Sequence, residues 1–217
     1  GWFGYVKQTN TDEGDEDLYE LVDALYTNNP EARAEALRQR LVVEEVMGYS
    51  VASVLMSNWD GFHNNMFLYH NPPPIGRWEC IPWDLDKTFG FTDSDPMFVE
   101  MPLTFPLDGM ARHASRGPGL ISHPFHMDEE FNAEYLRRVR EGLDSLFSEE
   151  RVNGLVQEIE TLLLEDLELL EQRLGVEQSA RRRQIQESYE TMRTFLRLRH
   201  AYLRTQLPTS VDDWTLR

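Results

Sequence analysis

Residues 66–83 read MFLYH-NPPPIG-RWECIPW, two short runs rich in aromatic residues joined by a proline- and glycine-rich connector. That pattern predicts an antiparallel hairpin. Before it, and again from about residue 128, the patterning is helical, so the hairpin belongs with helices rather than with a larger sheet. The expectation is an α+β fold, mostly α.

Upstream, DEGDEDLYELVDALYTN sets Leu18, Leu21, Val22 and Leu25 at helical spacing behind an acidic first turn, which suits a helix N-terminus. Asn29-Pro30 then reads as a cap followed by proline at the first helical position, opening a second helix that runs to about Leu41. Residues 41–58, LVVEEVMGYSVASVLMSN, are apolar nearly all round and predict a buried helix that delivers the chain to Trp59-Asp60. Residues 91–127 are irregular, with five prolines and the glycine-bearing ARHASRGPG, and a loop of that length in a compact domain is functional or disordered. Three helical stretches follow, 128–147, 148–174 and 176–207, the last with Ile185, Tyr189, Met192, Leu196 and Leu203 on one stripe. The organisation expected is one domain over 1–217: N-terminal helices (1–57), a loop, hairpin and return (58–90), an irregular region (91–127) and a helical bundle (128–217).

Composition excludes several classes. A formal charge of -17 argues against a phosphate-backbone binder, so nucleic acid is not an expected partner. No apolar run reaches the roughly 18–20 residues that cross a bilayer, and GWFGYVKQTN has neither a charged nor an apolar leader region. No membrane span is expected, and no signal peptide is visible in these residues. A lone cysteine, Cys80, rules out an internal disulfide and any multi-cysteine zinc site.

The hairpin gives the acids of NWDGFHNNMFLYHNPPPIGRWECIPWDLDKTFG (58–90) their meaning. A helix ends near Asn58, a tight loop carries Asp60 and Asn65, and the strands lead out and back, so Asp84 and Asp86 return towards Asp60. Clustered carboxylates repel unless a cation joins them. Carboxylate and amide oxygens suit a hard ion such as Mg²⁺, which keeps waters and shares phosphate oxygens. Asp60 and Asn65 also stand at D-x4-N, the interval of the protein-kinase catalytic loop, in which the Asp accepts the substrate hydroxyl proton and the Asn holds metal. D-x4-N and D-x-D are weak signals singly; in order, bridged by a hairpin and followed by Phe89-Gly90, they point to a metal-phosphate site. Lys87 is placed to reach a phosphate as a point charge, or to pair with Asp84 or Asp86.

NWDGFHNNMFLYHN followed by GRWECIPWDLDKTFG resembles the spore-coat protein H (CotH) kinase family, with its D-x4-N loop, LY strand and PWDxDxxFG segment. The likeness continues more weakly through LISHPFHMDEEFNAEYLRRVREGL and FLRLRHAYLRTQL. The resemblance implies an atypical protein kinase that uses ATP and Mg²⁺ or Mn²⁺ to phosphorylate Ser or Thr of a coat or surface protein, in a secreted, cell-surface or spore-coat setting. It puts the catalytic base at Asp60 and metal ligation at Asn65, Asp84 and Asp86; which of the last two matches the D-F-G aspartate stays open. A kinase also needs a glycine-rich loop and a strand lysine, and nothing upstream of residue 58 supplies them. The chain therefore reads as a kinase-like C-terminal lobe, with the N-lobe expected upstream of Gly1. Lys7 would close the last N-lobe strand or be a surface lysine.

Other features take ordinary readings. His123 and His126 in HPFH, with His113, lack a third ligand at zinc spacing. Trp59, Trp78 and Trp83 read as core and hairpin packing, Cys80 as a buried inert thiol, and Arg77 and Arg112 as solvated residues. Two rival functions stand beside the kinase: a non-catalytic adhesion or scaffold protein, and a metal-dependent nucleotide-sugar transferase using D-x-D.

Overall fold

A computed structural model describes residues 5–62, 64–90, 101–109 and 119–208. Helices α1 (Glu16–Leu25), α2 (Pro30–Arg40) and α3 (Val43–Met56) lead to strands β1 (Met66–His70) and β2 (Trp78–Pro82). Short helices α4 (Met101–Thr104) and α5 (His123–His126) precede α6 (Glu129–Asp144), α7 (Glu149–Leu174) and α8 (Ser179–Gln206). The described chain is α-rich with one small antiparallel sheet. No helix among the described residues is long and apolar enough to cross a membrane.

The local chemistry explains the boundaries. Asn29 caps α2 by accepting the Ala32 N–H at 3.1 Å, with Pro30 at the first turn where its missing N–H is harmless. Asp128 caps α6 in the same way, accepting from the Phe131 N–H at 3.1 Å. Helix α3 stops at Ser57, whose φ of 53° is left-handed, and α7 stops at Gly175, φ 65°. α2 and α3 are separate helices, as the mixed patterning around residue 41 allows. Between them Leu41 makes a parallel bridge to Trp78, and the Val42 N–H donates to the Trp78 carbonyl at 2.9 Å.

The core is built on α3, which buries Val46, Met47, Val51, Val54 and Leu55. Leu21, Val22 and Leu25 of α1, Leu37 of α2 and the α6 stripe Phe131, Tyr135, Val139 and Leu143 close round it. α6 therefore packs on α3 and α5, and α7 packs along α8. The C-terminal half is helical as expected; besides α6, Val152 and Val156 of α7 and Phe195, Leu196 and Leu203 of α8 join the same core, with Tyr189 and Met192 packed against it.

The hairpin pairs Met66 with Pro82, Leu68 with Cys80 and His70 with Trp78. An isolated two-stranded sheet is marginal in water, and this one is held by β2 packing on α3. Trp78 and Cys80 face inward, each 7% exposed, and the His70 ring stacks on Trp78 at 4.4 Å. Burial pushes the Cys80 thiol up to about 12, so it is an inert packing group. Trp83 departs from the expected packing: it is 61% exposed and meets the edge of Phe67 at 5.8 Å. Among the described residues one face of the two-stranded sheet has a helix behind it and the other has none, so the period-2 alternation sends Phe67, Tyr69 and Ile81 outward with it.

Much of the stretch expected to be irregular, including Arg112 and His113, lies outside the described residues. His123 and His126 form the short helix α5, where His123 stacks on Tyr26 and the His126 Nδ1 meets Asn132 Oδ1 at 3.0 Å. Lys7 is a loop lysine rather than a strand residue: its ammonium donates to the Gly14 carbonyl at 2.7 Å and faces Asp17 at 3.7 Å.

Candidate active site

The site begins where α3 unwinds. The left-handed Ser57 reverses the chain, and the Asn58 N–H reaches back to the Ser53 carbonyl at 2.7 Å. Asn58 is fully buried, its amide donating to Ser53 Oγ at 3.3 Å. A tight turn follows, with the Gly61 N–H on the Asn58 carbonyl and the Asn64 N–H on the Asp60 carbonyl. The Tyr49 hydroxyl, projecting from α3, donates to the Gly61 carbonyl at 2.7 Å. The loop is thus fastened to its own helix on both sides of Asp60.

Both carboxylate oxygens of Asp60 are oriented by neighbouring amides. Asn64 Nδ2 donates to Oδ1 at 3.0 Å and Asn65 Nδ2 donates to Oδ2 at 2.9 Å. Two directional donors fix the plane of the carboxylate, which a single ion pair does not. Asn65 itself is left-handed, φ 56°, a conformation that Asn tolerates better than most side chains. Its carbonyl then accepts the Trp83 N–H at 2.9 Å, the bond that joins the two ends of the hairpin.

The return segment is anchored at both of its ends. Beyond Trp83, Asp84 is left-handed (φ 50°), Thr88 Oγ1 caps the turn on the Leu85 carbonyl at 2.9 Å, and the Phe89 N–H donates to the Met56 carbonyl at the end of α3. Between the anchors, the Lys87 ammonium lies 3.9 Å from Asp60 Oδ2 and 5.1 Å above the Trp59 ring. Lys87 thus pairs with Asp60 across the turn. Asp60 is 15% exposed at its side chain, shielded yet within reach of a small ligand.

The structure thus brings Asp60, Asn65 and Lys87 into contact. Asp84 and Asp86 stand on the same return segment with their side chains exposed. Among the described residues no three His, Cys, Asp or Glu side chains lie close enough to hold a metal between them. A caged ion is not what the sequence pattern asks for: Mg²⁺ characteristically takes one or two carboxylates and completes its shell with water and phosphate. The donor chemistry present fits that mode. Asp84 and Asp86 are exposed carboxylates that follow Trp83, whose N–H donates to the Asn65 carbonyl, and Asn65 Nδ2 is committed to Asp60, leaving Oδ1 as an acceptor.

Sequence reasoning did not find Asn64, Tyr49 or the Ser53–Asn58 pair. Asn64 was visible as the first half of an Asn-Asn dipeptide, but the kinase interval names only the second. Tyr49 stands twelve residues from Gly61 on a helix whose apolar pattern gives a hydroxyl no distinguishing mark.

Comparison with known proteins agrees with the motifs. Inner spore coat protein H of Bacillus subtilis (strain 168) is 32% identical over 87 residues, which is 40% of this chain and 24% of that protein. The matched stretch thus spans about a quarter of the relative's length. The sequence model of the family described as CotH kinase protein matches residues 2–203, nearly the whole chain. The chain belongs to the CotH kinase protein family.

Proposed function

We propose that this chain is the C-terminal catalytic lobe of an atypical protein kinase that transfers the γ-phosphoryl group of ATP to a Ser or Thr hydroxyl of a protein. The observation that carries the reading is the Asp60 carboxylate held by two amides, with Asn65 and Lys87 against it. In this reading Asp60 aligns the substrate hydroxyl and takes its proton. The hydroxyl oxygen bonds to the γ-phosphorus while the bond from that phosphorus to the β–γ bridging oxygen breaks. Asn65, Asp84 and Asp86 would hold Mg²⁺ or Mn²⁺, which neutralises phosphate charge when bound. Lys87 moves its point charge from Asp60 to a phosphate oxygen. Little covalent help is needed for such a transfer; positioning and charge neutralisation supply the rate.

The outward face of the hairpin supports the same reading. Phe67, Tyr69, Ile81 and Trp83 are all more than 40% exposed beside the charged residues, an apolar surface of the kind a nucleotide base or a covering lobe would occupy. The name of the relative adds a setting, a protein of the spore coat, and hence a coat or surface protein as substrate.

The test is incubation of the full-length protein with γ-labelled ATP, Mg²⁺ or Mn²⁺ and a serine-rich protein. Label on Ser or Thr, abolished by Asp60→Ala and by chelation, is expected. No label, or label undiminished in Asp60→Ala, overturns the reading. Partner binding indifferent to chelator and to Asp84→Ala would assign an adhesion role instead.

A further inference from the structure

The second apolar face of α7 is unaccounted for by the core. Val152, Val156 and Leu167 turn towards the interior, whereas Leu155, Ile159, Leu162 and Leu169 are each at least 50% exposed. Leu155, Ile159, Leu162, Asp166 and Leu169 succeed one another at intervals of four, three, four and three residues, which sets them in one straight seam on a helix. The seam is about 21 Å long at the usual rise of ~1.5 Å per residue. That length and spacing suit a second helix lying alongside rather than a single inserted side chain.

Charge decides which helix. Glu158 and Glu165 each precede or follow a seam residue by three positions and line one edge of it, and Asp166 stands within it. The acids on the α8 side of α7 are matched, Glu160 with Arg193 and Glu171 with Arg182. Glu158, Glu165 and Asp166 have no ion-pair partner among the described residues. In an antiparallel pair of two copies, Glu158 and Glu165 would face the same two residues of the second copy, so like charges would meet along the whole edge. A chain of net charge -17 adds to that repulsion. Arg151 and Arg173 bound the seam only at its two ends.

We propose that this face of α7 docks one amphipathic helix of a partner protein, with leucine-type residues in its seam and Lys or Arg along the flanks opposite Glu158 and Glu165. Apolar burial supplies the attachment and the acidic edge selects a basic partner over a second copy. The docking is independent of catalysis, since the seam lies on a helix that carries none of the site residues.

The test uses the full chain and synthetic three-heptad helices with leucine in the seam and either lysine or glutamate on the flanks, followed by fluorescence anisotropy at about 0.15 M salt, where the Debye length is ~8 Å. The lysine helix should bind at least tenfold tighter than the glutamate helix. Ile159→Ser with Leu162→Ser should weaken it at least tenfold while leaving thermal unfolding and circular dichroism unchanged. Glu158→Lys with Glu165→Lys should reverse the preference. Equal binding of the two helices, equal binding of a lysine peptide with its leucines scrambled off the seam, or indifference to Ile159→Ser/Leu162→Ser overturns the proposal. So does a wild-type dimer that the same pair of substitutions makes monomeric, which would give the seam to a second copy.

Discussion

Gly61→Ala has a sign that the loop geometry decides. Glycine to alanine at a position with ordinary backbone angles stabilises a protein by about 0.4–1 kcal/mol, because the unfolded chain loses freedom. Gly61 is not in the left-handed region, so that gain applies in full if there is room. There is none. A Cβ at residue 61 would stand 2.1 Å from Asn58 Nδ2 and 2.5 Å from Tyr49 Oη. Neither atom is the loose end of a flexible chain: Asn58 is fully buried on Ser53, and Tyr49 Oη is engaged with the carbonyl of Gly61 itself. Overpacking of this kind costs about 1–3 kcal/mol, and losing the Tyr49 bond adds about 1 kcal/mol. Against the entropic gain, the net is a loss of about 1–3.5 kcal/mol. Urea unfolding with an unchanged slope measures it. Tyr49→Phe alone should cost about 1 kcal/mol, and the double variant should fall short of additivity by about that amount, because the hydrogen bond is lost only once. Under the proposed function phosphotransfer should also fall, since Asp60 is the neighbouring residue. A Gly61→Ala protein as stable as wild type, or more so, refutes the packing argument.

Arg199 is fully buried with no carboxylate partner among the described residues, donating to the carbonyls of Val54, Leu103 and Phe105 at 2.6–2.7 Å. Its burial pushes the guanidinium down to about 10. Arg199→Met removes bonds of about 1.5–3 kcal/mol each but also the several kcal/mol of desolvating a lone cation. The Val54 carbonyl keeps the Ser57 N–H, so two carbonyls are orphaned and a net loss of about 2–4 kcal/mol in urea unfolding is expected. A neutral result would mean that desolvation wins. Burial also holds His126 below the usual histidine range, only partly offset by its bond to Asn132 and the charge of Asp108; His123 is lowered for the same first reason, with His126 and Arg33 adding to it and Asp108 opposing. The unfolded imidazoles take up protons near pH ~6.5 while the folded ones resist, so stability is complete above that pH and is lost as pH falls through it. The slope is at most about 1.4 kcal/mol per unit for each histidine. Carboxylates depressed by arginines, such as Glu134 at about 2, act in a lower window. Urea midpoints between pH 7 and 5 should fall, and His126→Gln should flatten the fall; a flat wild-type profile contradicts the assignment.

The candidate site was legible where contacts are local. Asp60 and Asn65 lie within one tight loop, and a D-x4-N interval encodes their contact because the chain has little room to place them otherwise. The hairpin could be read from aromatic runs and a proline connector, and with it a return of the chain that sets Lys87 beside Asp60. The orientation of the hairpin faces could not. Alternation shows that Trp78 and Cys80 share a side, but only the presence of α3 behind that side tells which aromatics are buried, and Trp83 falls on the other. Arg199 was hidden for a different reason. In FLRLRH an arginine at helical spacing reads as a solvated cation, and its acceptor Val54 is 145 residues away. Contacts between distant segments leave no periodic trace.

Those distant contacts also explain why the C-terminal helix belongs to the site without contributing a reacting group. Phe195 and Arg199 stand one turn apart on α8. An added Cβ on Gly90, φ 90°, would meet Phe195 at 3.0 Å, so the aromatic ring packs directly on the backbone after Phe89. Arg199 holds Val54, two residues before the Met56 carbonyl that accepts the Phe89 N–H. One turn of α8 thus supports both the end of α3, which aims Asp60, and the end of the return segment, which carries Asp84 to Lys87. The junction is strained: Phe89 is left-handed at φ 53°, a conformation costing a bulky residue about 1–2 kcal/mol. It persists because the alternative would forfeit the bond to Met56, the stacking on Phe147 at 6.3 Å and the close seat of Gly90 on Phe195. The approach of Lys87 to Asp60 is therefore supported from behind, by α8, which holds both segments that carry them.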